Sequence, residues 1–186
     1  MKFEVRFTGL GGQGAITAGH IFGSAAALHE GKEVVVTEGY SPYVTGGWSR
    51  ADVVVSDEPI DYPLVSKLDA LVTMYQEGLD LNMKMVKPKG VVIAEKRLVN
   101  LSNVVGDSRV LAIPAGATAE KLGKKVLMNI VMLGSMVALA SPQSLEPLKK
   151  AVSERFPKAS ELNIRALDAG VELALRSREG GIEQLV

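Results

Sequence analysis

The sequence has 186 residues, 47% of them hydrophobic, and its 21 basic and 21 acidic side chains give a formal net charge of zero. This length and composition predict one domain with a full core, and the balanced charge argues against a nucleic-acid-binding surface. The lack of cysteine excludes disulfides, a thiolate nucleophile and thiolate ligands for an iron–sulfur cluster or zinc. The two histidines, His20 and His29, are too far apart on one predicted helix to share a metal ion.

Strand-like and helix-like segments alternate along the chain up to Pro114. The periodicity predicts, in chain order, strand 3–8, helix 12–29, strands 32–37, 50–56 and 69–74, helix 76–83, and strands 91–93 and 109–113. Beyond Pro114 the pattern predicts helices alone, at 118–122, 126–139, 144–156 and 160–178. We therefore predict a single Rossmann-like α/β domain over residues 1–186, with a mostly parallel sheet, helices on both faces, an α/β core over about 1–115 and a helical C-terminal portion over about 116–180.

The N-terminus does not look like a signal peptide, because Lys2 is followed by a strand-like alternation. The most apolar run, 126–140, has about 15 residues, whereas a bilayer-spanning helix needs roughly 20. We therefore expect a cytoplasmic protein that contacts neither membrane nor nucleic acid.

The first predicted strand runs into the glycine cluster GLGGQG at 9–14, and a helix is predicted directly behind it. The spacing of Gly9, Gly11 and Gly14 matches the dinucleotide-binding fingerprint, in which glycines and a helix N-terminus receive a phosphate. Glu38 is a loose match to the acidic residue that such a motif requires, and Gln13 has no role in it. Three interpretations stay open: a tight turn without a ligand, a nucleotide site of this chain, or a loop whose ligand is shared with another chain.

A second glycine-rich loop, at 39–47, follows the second predicted strand and carries two tyrosines ahead of the single tryptophan, Trp48. Loops that follow the strands of a parallel sheet emerge at the same carboxyl edge, so we expect this loop to lie beside GLGGQG. Its aromatic residues and Arg50 suit a binding surface. An aromatic plug over the sheet edge is the alternative.

The two loops together resemble the gamma subunit of 2-oxoacid:ferredoxin oxidoreductases. The resemblance lies in GLGGQG, in the pattern Y-x-P-x-x-x-GG-x-S-x-A-x-V at 40–53, and in SDEPIDYP at 56–63. It continues in the segments at 114–123, 129–134 and 144–146, and so covers nearly the whole chain. The branch that acts on 2-oxoglutarate is the most similar; the pyruvate, branched-chain and indolepyruvate branches stay open.

This resemblance implies one subunit of an enzyme complex that decarboxylates a 2-oxoacid on thiamine diphosphate, reduces ferredoxin through iron–sulfur clusters and forms an acyl-coenzyme A. Other subunits, of the alpha, beta and delta types, carry the thiamine diphosphate and the clusters. This chain is expected to hold no cofactor alone, and to have neither a catalytic residue nor a metal ligand. We also expect an isolated chain to form a homodimer through apolar surface around Tyr43, Val44 and Trp48.

Three hypotheses follow from the residues and the resemblance. In the first, the two loops complete a coenzyme A site, and its phosphates are held by Gly9, Gly11, Gly12, Gln13, Gly14, Tyr43, Thr45, Gly46, Gly47 and Arg50. Thr45 stands where the family usually has Arg, and Arg50 replaces that Arg only if the loop bends. In the second hypothesis the chain is a structural scaffold, and in the third it is a free-standing nucleotide-binding protein.

Overall fold

A seven-stranded sheet forms the centre of the chain, in a computed structural model that describes residues 1–42, 46–102, 104, 107–179 and 184–185. The strand order is β2-β3-β1-β4-β5-β6-β7. In chain order the strands are β1 (Lys2–Leu10), β2 (Glu33–Tyr40), β3 (Trp48–Ser56), β4 (Leu68–Thr73), β5 (Val86–Glu95), β6 (Arg109–Ile113) and β7 (Gln184–Leu185).

The central pairs β1–β4, β4–β5 and β5–β6 are parallel, whereas β3 is antiparallel to both β1 and β2. Strand β7 is antiparallel to β6. The five strands β1, β2, β4, β5 and β6 therefore share one direction, which confirms a mostly parallel sheet. The reversed β3 departs from a simple alternation of strands and helices, because the connection from Tyr40 to Trp48 is too short for a parallel crossover.

In the described part of the chain, six α-helices cover the sheet. They are α1 (Ala15–Ser24), α2 (Gln76–Asn82), α3 (Ala115–Lys121), α4 (Met128–Leu139), α5 (Leu145–Arg155) and α6 (Ser160–Glu179). A π-helical turn, Ala25–His29, extends α1, and 3-10 turns at Lys125–Leu127 and Pro157–Ala159 precede α4 and α6. The first helix begins at Ala15 rather than at the predicted position 12, because Gly12 and Gly14 have left-handed φ angles of 88° and 78°.

Two hydrophobic clusters lie on opposite faces of the sheet. On the first face, Val5 and Phe7 of β1 pack with side chains from α1, α3, α4, α5 and α6. On the second face, Leu71 and Val92 pack with Leu79 of α2 and with the segments before β4 and after β5. Helices therefore lie on both faces, as predicted, and the helical C-terminal portion packs on the first face.

The apolar run at 126–140 forms α4, which is buried on nearly all sides. A side chain at Gly134 would collide with the backbone of Leu167, and one at Gly170 with the backbone of Val131, so α4 and α6 are in backbone contact. Of the helices in the described part of the chain, none is long and apolar enough to cross a membrane.

Small residues allow α1 to approach the sheet closely. A Cβ atom at Gly23 would lie 2.8 Å from Cγ2 of Val36, and one at Gly19 would collide with Ala51. This close approach places α1 directly against β2 and β3.

Candidate functional site

The glycine loop turns sharply between β1 and α1. The N–H of Gln13 donates to the carbonyl of Leu10 at 3.0 Å, and Gly12 and Gly14 on either side adopt left-handed backbone conformations. A Cβ atom at Gly12 would meet no heavy atom within 4 Å, whereas one at Gly14 would lie 2.8 Å from Cγ of Asn129. Gly12 therefore faces open space, and Gly14 is packed against α4.

Gln13 uses its side-chain amide to shape this loop. Its Oε1 accepts from the N–H of Leu10 at 2.6 Å, and its Nε2 donates to the carbonyl of Met74 at 3.1 Å. The amide thus joins the end of β1 to the end of β4. The direct ligand contact predicted for Gln13 would require one of these hydrogen bonds to break, and it stays a prediction.

The N-terminus of α1 is uncapped. Gly14 supplies no capping side chain, and the first turn holds no acidic residue. No described residue accepts a hydrogen bond from the N–H groups of Ala15, Ile16 or Thr17. Unpaired N–H groups at a helix N-terminus carry partial positive charge and suit a bound anion.

The second loop lies directly beside the glycine loop, as predicted. The N–H of Gly11 donates to the carbonyl of Gly47 at 2.8 Å, and the Ser49 hydroxyl reaches the carbonyl of Gly9 at 3.4 Å. This loop connects β2 and β3 as a hairpin, and a 2.9 Å hydrogen bond from the N–H of Ser41 to the carbonyl of Trp48 closes it.

Two of the predicted contacts from this hairpin, Tyr43 and Thr45, lie outside the described residues. Their roles, and the consequence of Thr45 in place of the family's Arg, stay predictions.

The side chain of Arg50 lies on the second face of the sheet, against Gly39 at the start of the second loop. Its guanidinium is 5.8 Å from the ring centroid of Trp48, and its Nε is 3.8 Å from Asp52. It lines a small cavity of about 210 Å³ together with Arg6 and Tyr75. Side chains alternate between faces along β3, so Arg50 lies on the face opposite Ala51, which contacts α1. A binding role for Arg50 stays a prediction.

A cavity of about 620 Å³ lies between the two loops and the C-terminal helices, within the size range of small-molecule sites. Gly11, Gly12 and Gly14 line it together with the first turn of α1 and, from the hairpin, Gly46 and Gly47. The C-terminal half contributes a further wall that the sequence interpretation missed, made of Lys124, Val126, Leu127, Asn129, Phe156, Ala159, Leu162 and Asn163.

Asn129 joins the two halves of this cavity. Its Nδ2 donates to the carbonyl of Gly14 at 3.1 Å, while its Oδ1 accepts from the N–H of Ile130 at 2.9 Å. The side chain is buried, so both ends of the amide are held in place. An asparagine at the start of an otherwise apolar helix is the one sequence signal that could have indicated this role.

The charged groups near the cavity differ in whether they have a partner. Lys124 is exposed on the cavity wall and forms no ion pair with a described residue. Glu38, by contrast, accepts hydrogen bonds from the Tyr40 hydroxyl and from His20. The Tyr40 hydrogen bond first, and then His20, lower the pKa of Glu38. Glu38 does not line the cavity, so it does not act there as the acidic residue of a dinucleotide motif.

A glycine turn, an uncapped helix N-terminus and a cavity lie together at the carboxyl edge of a mostly parallel sheet, where α/β domains bind their ligands. Residues 4–173 match the model of the pyruvate ferredoxin/flavodoxin oxidoreductase family. The chain belongs to this family. It is 41% identical to the 2-oxoglutarate synthase subunit KorC of Methanocaldococcus jannaschii, over 94% of this chain and 95% of the relative.

Comparison with solved structures shows that the chain has the fold of known oxidoreductase subunits. The gamma subunit of a keto/oxoacid ferredoxin oxidoreductase from Geobacter sulfurreducens superposes with a TM-score of 0.86 and 38% identity, over 95% of this chain and 98% of that one. The 2-oxoglutarate:ferredoxin oxidoreductase of Magnetococcus marinus, solved with 2-oxoglutarate, coenzyme A and succinyl-CoA bound, has a TM-score of 0.81. At 24% identity, over 94% of this chain and 31% of that one, it supports the fold alone.

These comparisons confirm the resemblance stated from the sequence. The chain is a gamma-type subunit of a 2-oxoacid:ferredoxin oxidoreductase, and it takes part in an oxidoreductase complex.

Proposed function

We propose that this chain holds the phosphates of coenzyme A in a complex that converts 2-oxoglutarate to an acyl-coenzyme A and reduces ferredoxin. The observation that carries the proposal is the uncapped N-terminus of α1, which faces a cavity of about 620 Å³ beside Lys124, a side chain without an ion-pair partner among the described residues. A diphosphate offers several acceptor oxygens, and these match the free N–H groups of Ala15, Ile16 and Thr17. Gly12 leaves space for such a group, because nothing lies within 4 Å of its Cβ position.

The rest of the cavity suits an adenosine. Phe156 and Tyr40, which is 61% exposed, line it. Aromatic side chains bind a flat purine ring by stacking and by burying its apolar area. The phosphates and the base thus have complementary partners on this chain.

The chain does not fit the other cofactors of the proposed complex. A cysteine-free sequence has no thiolate for an iron–sulfur cluster. Within the described residues there is no cluster of three His, Asp or Glu side chains, and the family resemblance implies that thiamine diphosphate is bound by other subunits. We therefore assign both cofactors to alpha-, beta- and delta-type partner subunits, with ferredoxin as the electron acceptor of the complex.

The choice of 2-oxoglutarate is supported by similarity to the KorC subunits. Pyruvate synthase subunit PorC of Methanothermobacter thermautotrophicus is also similar, at 32% identity over 88% of this chain and 91% of the relative. The substrate pocket lies in this proposal on the partner subunits. The cytoplasmic location, the boundary near residue 115 and the homodimer of the isolated chain stay predictions.

Lys124→Ala tests the coenzyme A assignment in the assembled complex. Loss of one exposed phosphate contact should raise the KM for coenzyme A about five- to tenfold, with the KM for 2-oxoglutarate unchanged. Lys121→Ala is the matched control, since Lys121 is exposed three residues earlier and lines none of the described cavities. An unchanged KM for coenzyme A in Lys124→Ala contradicts the assignment. Reduced assembly with normal kinetics in the complexes that form would favour the scaffold role.

A further inference from the structure

The small cavity on the second face of the sheet, with a volume of about 210 Å³, has a lining of its own chemical character. Its walls come from β1, β3, the end of β4 and α2, and they include Thr8, Trp48, Arg50, Tyr75 and Leu81. The volume is below the roughly 300–1,000 Å³ that is typical of small-molecule sites. It is therefore better matched to a single inserted side chain than to a cofactor.

The floor of this cavity is a buried ion pair that is already complete. Nε and Nη2 of Arg6 donate to the two carboxylate oxygens of Asp52 at 2.6 and 2.7 Å. Nη1 of Arg6 donates to Oδ1 of Asn82 at 2.5 Å. Both oxygens of Asp52 are thus taken by Arg6, and the buried pair adds no net charge to the cavity.

Arg50 adds a positive charge that lacks an acceptor. Its Nε lies 3.8 Å from Asp52, beyond hydrogen-bond distance, and no described residue accepts a hydrogen bond from its guanidinium. The side chain rests against Trp48, whose ring centroid is 5.8 Å away, and against Gly39, where a Cβ atom would lie 2.7 Å from Nε. It is 41% exposed. The guanidinium is therefore held in position with its donors available.

Two hydroxyl groups in the cavity wall also lack partners. Thr8 is 1% exposed and Tyr75 7%, and neither hydroxyl hydrogen-bonds with another described residue. Both side chains flank Gly78, where an added Cβ atom would lie 2.8 Å from Cγ2 of Thr8 and would collide with Cε1 of Tyr75. Among fully enclosed side-chain polar atoms in the described ranges, only Oε1 of Gln143 has no partner, so both hydroxyls remain accessible. Since both residues line the cavity, an acceptor reaches them there.

Apolar surface lies beside these donors. Leu81 lines the cavity and is 65% exposed, and Trp48 is partly exposed. Tryptophan and arginine are the residue types most enriched at the centres of protein–protein interfaces. A small free anion would leave the leucine and the indole in water, whereas a partner protein would cover them. The surroundings of the cavity therefore favour a protein occupant.

We propose that this cavity receives the carboxylate of an Asp or Glu side chain from a partner subunit of the oxidoreductase complex. The carboxylate accepts from the guanidinium of Arg50 and from the hydroxyls of Thr8 and Tyr75, and hydrogen bonds to an ionised acceptor are the strong ones. The partner surface around it covers Leu81 and Trp48. Membership of the family supplies the complex, and the inference does not depend on the coenzyme A proposal.

Tyr75→Phe and Arg50→Gln test the cavity in the assembled complex. Mass photometry over a dilution series gives the dissociation constant of this chain from the other subunits. Tyr75→Phe removes one oxygen and should weaken association at least about tenfold, and Arg50→Gln at least about 30-fold. Tyr62→Phe is the matched control, because Tyr62 is 59% exposed and lines neither cavity, and it should associate as the wild type does.

Arg50→Lys identifies the partner carboxylate directly. A carbodiimide joins the new amine to a neighbouring carboxylate as an amide, with loss of water, and mass spectrometry of the digested complex locates the link. We expect a link from position 50 to an Asp or Glu of another subunit. A link to Asp52 of the same chain alone would contradict the proposal.

Wild-type association in either Arg50→Gln or Tyr75→Phe, or an equal weakening in Tyr62→Phe, would overturn the proposal. A raised KM for 2-oxoglutarate in Arg50→Gln with unchanged association would also overturn it, in favour of a small dicarboxylate at the same groups. Arg50 and Tyr75 do not line the cavity beside Lys124, so the KM for coenzyme A tests the proposed function separately.

Discussion

Gly14→Ala should destabilise the chain through two separate effects. The backbone at Gly14 has a φ of 78°, which an alanine adopts only with strain. The new methyl group would also lie 2.8 Å from Cγ of Asn129 and closer still to its Nδ2. Asn129 is buried and donates to the carbonyl of Gly14, so it cannot move without losing that hydrogen bond.

The size of the loss follows from these two effects. Left-handed backbone costs an alanine about 1–2 kcal/mol, and a lost buried hydrogen bond costs about 1–2 kcal/mol more. We therefore expect Gly14→Ala to lower the free energy of unfolding by about 2–4 kcal/mol. Gly31→Ala is the matched control, because Gly31 has a φ of 65° with nothing within 4 Å of its Cβ position, and it should show the strain alone.

Equilibrium urea unfolding of the chain measures both variants, alone and in an Asn129→Ala background. Removing the Asn129 amide makes room for the methyl group, so Gly14→Ala should cost about 1–2 kcal/mol less there. Equal losses in Gly14→Ala and Gly31→Ala, or strictly additive losses in the double variant, would refute the proposed contact between the glycine loop and α4.

Two further substitutions test ion pairs elsewhere in the fold, one on the second face of the sheet and one beside the N-terminus of the chain. Asp52→Ala should lower the free energy of unfolding by about 3–5 kcal/mol in the same urea assay, because it leaves buried Arg6 without its bidentate partner; a loss below about 1 kcal/mol would contradict this. The Lys32 hydrogen bond, with the N-terminal amine second, lowers the pKa of Asp57 from 3.8 to about 2. This ionised pair stabilises the fold above pH 3.8, and the stabilisation is lost as the pH falls towards 2. Asp57→Asn should therefore weaken the dependence of the urea unfolding midpoint on pH between these two values. An unchanged slope of midpoint against pH would mean that the pair contributes nothing to stability.

Local signals in the sequence were sufficient to predict the strand, the glycine turn and the helix at the N-terminus. A β-branched run, clustered glycines and a helix of small residues each specify one conformation, and these segments agree with the fold. The proximity of the two loops was also predictable, because β1 and β2 share a direction. The reversed β3 was missed, although the short connection after Tyr40 already excluded a crossover helix.

The C-terminal wall of the cavity could not be predicted in the same way. Lys124, Asn129 and Phe156 are more than 100 residues from the glycine loop in the sequence, and helical periodicity does not indicate which helix end reaches it. The sequence analysis also did not predict that Arg50 lies on the second face of the sheet, where it lines the small cavity of about 210 Å³. Which face a strand residue occupies depends on register, and register is fixed by the whole sheet.

Hydrogen–deuterium exchange on the assembled complex tests the central claim most directly. The N–H groups of Ala15, Ile16 and Thr17 have no acceptor among the described residues, so they should exchange rapidly without ligand. Saturating coenzyme A should slow their exchange at least about tenfold, because phosphate oxygens become their acceptors. Unchanged exchange over residues 12–17 at saturating coenzyme A, with protection confined to other segments or subunits, would contradict the account.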